Sequence, residues 1–84
     1  MKIKRGIVIQ KLGDLFVAYD NRAGVLFEFN EVGFFIFNQI KKGKTREEIV
    51  KKITAQFDVS PARAAKDVNS FLAILKKKDL IETP

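Results

Sequence analysis

The stretch Val25-Leu26-Phe27-Glu28-Phe29-Asn30-Glu31-Val32-Gly33-Phe34-Phe35-Ile36 contains the change of period on which the fold turns. Up to Phe29 the residues alternate. Val25, Phe27 and Phe29 point to one side of a strand and Leu26 and Glu28 to the other, because successive strand side chains face opposite ways. From Asn30 the spacing is helical: Asn30 is a suitable cap for a helix starting at Glu31, and Val32, Phe35, Ile36 and Ile40 recur at the 3.6-residue period before Gly43 supplies a stop. Phe34 and Phe37 lie off that stripe, so the helix is expected to sit centrally, between a sheet and other helices.

Upstream of this point the chain reads as strands. Ile7-Val8-Ile9 and Leu15-Phe16-Val17-Ala18-Tyr19 are short β-branched and aromatic runs between breaks containing Gly, Asp or Asn. Asp20-Asn21-Arg22-Ala23-Gly24 has the turn formers for a hairpin into 25–29. Downstream, Thr45-Arg46-Glu47-Glu48 is a capping box followed by Ile49, Val50, Ile53 and Phe57, and Ser60-Pro61 opens a long helix over 61–78. The core stripe of that helix is Ala64, Val68, Phe71, Leu72 and Leu75, and Asp79-Leu80-Ile81 reads as a short return onto the domain. Strands followed by segregated helices predict an α+β fold, a three-stranded antiparallel sheet followed by three helices, in one domain over 1–84.

Composition narrows the chemistry. With no Cys and no His, the chain has no disulfide, thiolate nucleophile, imidazole base or ordinary zinc or iron–sulfur ligand set. Its carboxylates do not pair: Glu47 and Glu48 open a helix, while Asp14, Asp20 and Asp58 lie in predicted turns. The glycines are isolated and form no nucleotide-binding motif. No catalytic residue, metal site or cofactor is expected. No apolar run approaches the roughly 20 residues of a membrane span, and the Met1–Arg5 lead lacks a signal-peptide core, so a cytoplasmic protein is expected, with no membrane partner.

The net charge of +6 favours acidic partners. Its cations cluster at Lys2, Lys4, Arg5 and Lys11, at Lys41, Lys42, Lys44 and Arg46, and at Lys76, Lys77 and Lys78. The second and third clusters are accounted for by helix C-termini, where cations meet the negative end of the dipole.

Two binding surfaces compete. The second and third helices resemble a helix-turn-helix, with Arg63, Lys66, Asn69 and Ser70 available to a DNA groove. Asp67 among them repels phosphate, and no wing follows the last helix, so nucleic acid is the less favoured partner. The other surface is a sheet edge at Val25–Phe29 with Glu28 as its single charged guard, beside a helix flank carrying Arg63, Asp67, Ser70, Phe71 and Ile74. An extended peptide can pair there, and so can a second copy of the chain, giving a homodimer through the sheet edge.

The order of the hairpin, Phe29-Asn30-Glu31-Val32-Gly33-Phe34-Phe35-Ile36-Phe37, Gly43-Lys44-Thr45-Arg46-Glu47-Glu48-Ile49, Phe57-Asp58-Val59-Ser60-Pro61, Asp67-Val68-Asn69-Ser70-Phe71-Leu72 and Lys78-Asp79-Leu80-Ile81 resembles the coenzyme PQQ synthesis protein D family. The likeness runs from about Leu15 to near the end of the chain. It implies a fold similar to a winged helix-turn-helix with the strands first, and a non-catalytic domain that recognises precursor peptides of ribosomally made, modified natural products, in PQQ synthesis or another pathway. Such domains hold a leader peptide as an added strand and present it to a modifying enzyme, such as a radical SAM protein or a lasso-type protease or cyclase. Carried onto this chain, the resemblance implies a peptide-binding edge at Val25, Leu26, Phe27, Glu28 and Phe29, and a helix side with Arg63, Lys66, Asp67, Ser70 and Ile74. Phe29, Phe34 and Phe35 depart from the smaller or aliphatic residues common in the family, which implies a repacked core and a differently shaped groove.

Overall fold

A computed structural model describes residues 1–22, 24 and 26–82, with Leu26 described by its backbone. The elements are β1 (Lys2–Ile3), β2 (Ile7–Leu12), β3 (Leu15–Asp20), β4 (Leu26–Phe29), α1 (Glu31–Lys41), α2 (Arg46–Gln56), α3 (Pro61–Lys77) and β5 (Ile81–Glu82). β2, β3 and β4 form an antiparallel sheet in that order, with Leu12 opposite Leu15 and Phe16 opposite Phe29. This is the expected α+β arrangement, and β4 is an edge strand as the meander requires. Val25, expected to begin this strand, lies outside the described residues, as does Ala23 in the turn before it. Gly24 in that turn takes the positive φ of 68° for which a glycine was expected.

β1 and β5 form a separate two-stranded ribbon, Lys2 opposite Glu82 and Ile3 opposite Ile81. The return of the chain after α3 is therefore a pairing with the N-terminus. Lys4 adds an ion pair to Asp79 and a backbone hydrogen bond to the Leu80 carbonyl.

The helix ends are set by local chemistry. The Asn30 side chain accepts from the Gly33 N–H at 3.0 Å. At the other end of α1 the Gly43 N–H donates to Ile40 O and the Lys44 N–H to Gln39 O, a Schellman closure that needs Gly43 at its φ of 80°. α3 starts with Ser60 accepting from the Arg63 N–H and Pro61 at its first position. It closes in the same way as α1, the Leu80 N–H donating to Leu75 O, but with Asp79 in the left-handed region at φ 61°.

The capping box of α2 is complete. The Thr45 N–H donates to Glu48 Oε1 at 2.9 Å and the Glu48 N–H to Thr45 Oγ1 at 3.2 Å. The Thr45 backbone N–H, followed by the Thr45 side chain, holds the Glu48 carboxyl below its ordinary value of 4.5. A carboxyl whose folded value is depressed stabilises the fold above its unfolded value, and that contribution is lost as pH falls through the folded value. α2 is therefore expected to loosen on acidification below about pH 4.5. A pH series of amide chemical shifts for 45–49 checks this, with Glu48→Gln expected to flatten the dependence.

The core joins the sheet to all three helices through Phe16, Ala18, Phe27 and Phe29, Ile36, Phe37 and Ile40, Ile49 and Ile53, and Ala64, Val68, Phe71 and Leu75. α1 is apolar on more than one side, as the positions of Phe34 and Phe37 off its main stripe require. Phe37, off that stripe, is 1% exposed and lies 5.9 Å from the Phe29 ring, whereas Val32 and Phe35 are half-buried. α1 faces the sheet on one side and α2 on another, which is the central position its extra phenylalanines predict.

Candidate peptide-binding groove

β4 lies alongside α3. The rings of Phe27 and Phe29 meet Phe71 of α3 at 5.8 and 5.9 Å, in steep edge-to-face contacts. Lys78, just past α3, places its ammonium 5.8 Å from the Phe27 ring. Phe27 and Phe29 are buried and Glu28 is exposed, as the alternation requires. Among the described residues, β4 pairs with β3 on one side and with no strand on the other.

Arg63, Asp67, Ser70 and Ile74 recur every three or four residues and so share one flank of α3. They line a depression of about 440 Å³ with Phe71. Val32, Gly33 and Ile36 of α1 form its other wall, and Asn30 and Val59 close it. Ile74 is 42% exposed, so the C-terminal return does not cover it. Arg63 Nε donates to both Asp67 carboxylate oxygens, at 3.1 and 3.2 Å. Such an exposed pair contributes little stability, so either member can exchange its partner for a group on a ligand.

Gly33 sets how closely α1 approaches. A Cβ there would lie 2.8 Å from Phe71 Cε1 and 3.0 Å from Phe29 Cβ. The absence of a side chain lets helix, strand and Phe71 meet at the base of the depression.

The expected site residues therefore fall into three groups. Phe71, Arg63, Asp67, Ser70 and Ile74 line the depression from α3, and Phe27 and Phe29 are buried behind Phe71 without lining it. Leu26 and Glu28 lie on the edge strand, Leu26 placed by its backbone alone. Lys66 is exposed and lines no part of the depression, because it lies on the far side of Ser70, about 140° around the helix from Phe71. The wall from α1 was not read from the sequence, where Val32 and Ile36 counted as core. Gly33 was the available signal, since an interior helix glycine commonly marks a close approach.

Two of the four residues offered to DNA have side-chain partners, whereas Lys66 and Ser70 are exposed. Asn69 Oδ1 accepts from Arg46 Nε at 2.5 Å, and Arg63 is held by Asp67. The second sheet edge, β2, is guarded by Lys11, whose ammonium lies 5.8 Å from the Phe16 ring. No helix among the described residues is long and apolar enough to cross a membrane.

A family model described as coenzyme PQQ synthesis protein D matches residues 16–81. Of two similar solved structures, TbiB1 in complex with the TbiA(beta) leader peptide is 32% identical with a TM-score of 0.87, over 100% of this chain and 98% of that one. The other, a lasso peptide synthetase B1 complexed with the leader peptide, shares the fold at 18% identity and a TM-score of 0.82, over 99% and 96% of the two chains. No curated protein matches the chain.

Proposed function

This chain belongs to the coenzyme PQQ synthesis protein D family, and from that premise we propose that it is a non-catalytic module, one domain over 1–84, that binds the leader of a ribosomally made precursor peptide. The observation that carries the proposal is the edge of β4, which no strand among the described residues pairs with, joined through Phe71 to an α3 flank on which Ile74 stands exposed. A leader docks as a fourth strand. Its backbone pairs with 26–29, and its alternate side chains enter the depression above Phe71, against Ile74 and Val32. Backbone pairing supplies affinity and register, and the apolar wall with the Arg63–Asp67 pair supplies selectivity. The two similar structures described as leader-peptide complexes support this reading.

The chain has no His or Cys with which to modify the peptide itself. It acts by holding the leader in one register for a modifying enzyme, a radical SAM protein or a lasso-type protease or cyclase, and needs no cofactor for that. The charge of +6 speeds encounter with an acidic leader. In the alternative reading α3 serves a small helix-turn-helix DNA-binding regulator, which Asp67 on the same flank as Arg63 and Ser70 disfavours by repelling phosphate.

Titrations against the precursor's leader and against duplex DNA, each at two salt concentrations, separate the readings. The leader is expected to bind with a modest salt dependence, because backbone pairing and apolar burial dominate. DNA binding tighter than leader binding, with affinity falling steeply in salt as counterions are released, would favour the regulator instead.

A further inference from the structure

Two of the cationic clusters that lie far apart in sequence meet in space. Lys2, Lys4 and Arg5 from β1 and the loop after it, and Lys41 and Lys42 from the end of α1, line one depression of about 760 Å³. Its floor is aliphatic, formed by Ile3, Ile7 and Ile40, and no carboxylate lines it among the described residues. Two of the cations have acidic neighbours, since Lys4 pairs with Asp79 and Lys2 lies opposite Glu82. Arg5, Lys41 and Lys42 are exposed, and no ion pair to them is found among the described residues. Arg22 extends the positive surface by donating from Nη2 to the Arg5 carbonyl at 2.7 Å.

The dipole of α1 accounts for Lys41 and Lys42 but not for Arg5, which lies on a different element. The depression also lies at the opposite end of α1 from the peptide groove. α1 has 11 residues, about 16 Å at 1.5 Å per residue, so both sites can be filled at once.

We propose that this depression receives an acidic, apolar segment of the modifying enzyme, with carboxylates on Arg5, Lys41 and Lys42 and an aliphatic side chain over Ile3, Ile7 and Ile40. The inference rests on the delivery role proposed above and says where the enzyme is held while β4 holds the leader. Charge complementarity selects an anionic partner, and the form of the site selects a protein. No aromatic side chain is present to stack on a base. The isoleucines are recessed in the floor, whereas a membrane site needs apolar groups that protrude.

The test uses a short alternating Glu-Leu peptide, its Gln-for-Glu counterpart, duplex DNA and phosphatidylserine vesicles as probes, followed by amide shifts of the full chain. The Glu-Leu peptide is expected to shift the amides of 2–7 and 40–43. The Gln counterpart and the triple variant Arg5→Glu/Lys41→Glu/Lys42→Glu should each bind about tenfold more weakly. The three side chains are exposed, so the variant should stay folded, its melting temperature lowered by a few degrees because two of the new carboxylates meet the negative end of α1. Shifts that are absent, or that survive the triple substitution, overturn the proposal, as does tighter binding of DNA or vesicles through the same amides. Shifts confined to 26–29 overturn the docking site while leaving the groove reading intact. Conversely, shifts at 2–7 and 40–43 in a protein that fails to bind the leader support the docking site and sink the groove reading.

Discussion

Ile74→Glu is expected to weaken leader binding by at least about a hundredfold, an effect of roughly 3 kcal/mol, while the domain stays folded. The side chain is 42% exposed in the free protein, so a carboxylate there remains hydrated and costs little stability. When a peptide covers the depression, that carboxylate loses its water among Phe71, Val32 and Ile36, with Asp67 on the same flank adding repulsion. Ile74→Ala, which removes apolar surface without adding charge, should cost about 1–1.5 kcal/mol, or roughly tenfold. Anisotropy with a labelled leader, beside a thermal melt of each variant, checks both. Unchanged affinity in a folded Ile74→Glu protein would exclude this groove as the binding site.

Gly33→Val carries the largest expected cost in stability, about 3 kcal/mol or more. Its new Cβ would stand 2.8 Å from Phe71 Cε1 and 3.0 Å from Phe29 Cβ. The phenyl ring of Phe71 can turn away, but Phe29 Cβ is fixed to the backbone of β4, so α1 and the strand must separate. Gly33→Ala is the more informative partner because two effects oppose. Helix propensity gains up to about 1 kcal/mol, and overpacking loses about 1–3 kcal/mol. The clash is expected to win, lowering the melting temperature by a few degrees. In a Phe71→Ala background, where the nearest contact is gone, Gly33→Ala should cost less, a coupling that a double-mutant cycle measures. A rise in melting temperature for Gly33→Ala in the wild-type background would show that the close approach does not constrain the fold.

What the sequence revealed follows from how locally each feature is determined. The change of period at Asn30, the Thr45–Glu48 box, Ser60-Pro61 and the stop at Gly43 depend on residues within a few positions of one another, and all appear where expected. β1 did not, because two residues have no readable period and their partner lies almost eighty positions away. Phe37, off the main stripe of α1, was legible as a sign of packing on more than one side, but not that it would be buried more deeply than Val32 and Phe35 of the stripe itself. The groove was legible on α3, where Arg63, Asp67, Ser70 and Ile74 repeat at helical spacing, but not on α1, whose first two turns serve core and groove together. The charge clusters show the same limit. Lys41 and Lys42 satisfy a helix end when read alone, and only the ribbon formed by β1 and β5 brings Arg5 beside them.

The central claim is that the leader extends the sheet at β4, and amide hydrogen exchange with and without saturating leader tests it most directly. Alternate amides of 26–29, those facing away from β3, should exchange markedly more slowly in the complex, while those of β2 keep their free rates. Protection along 7–12 with none along 26–29 would place the peptide on the opposite edge and contradict the account.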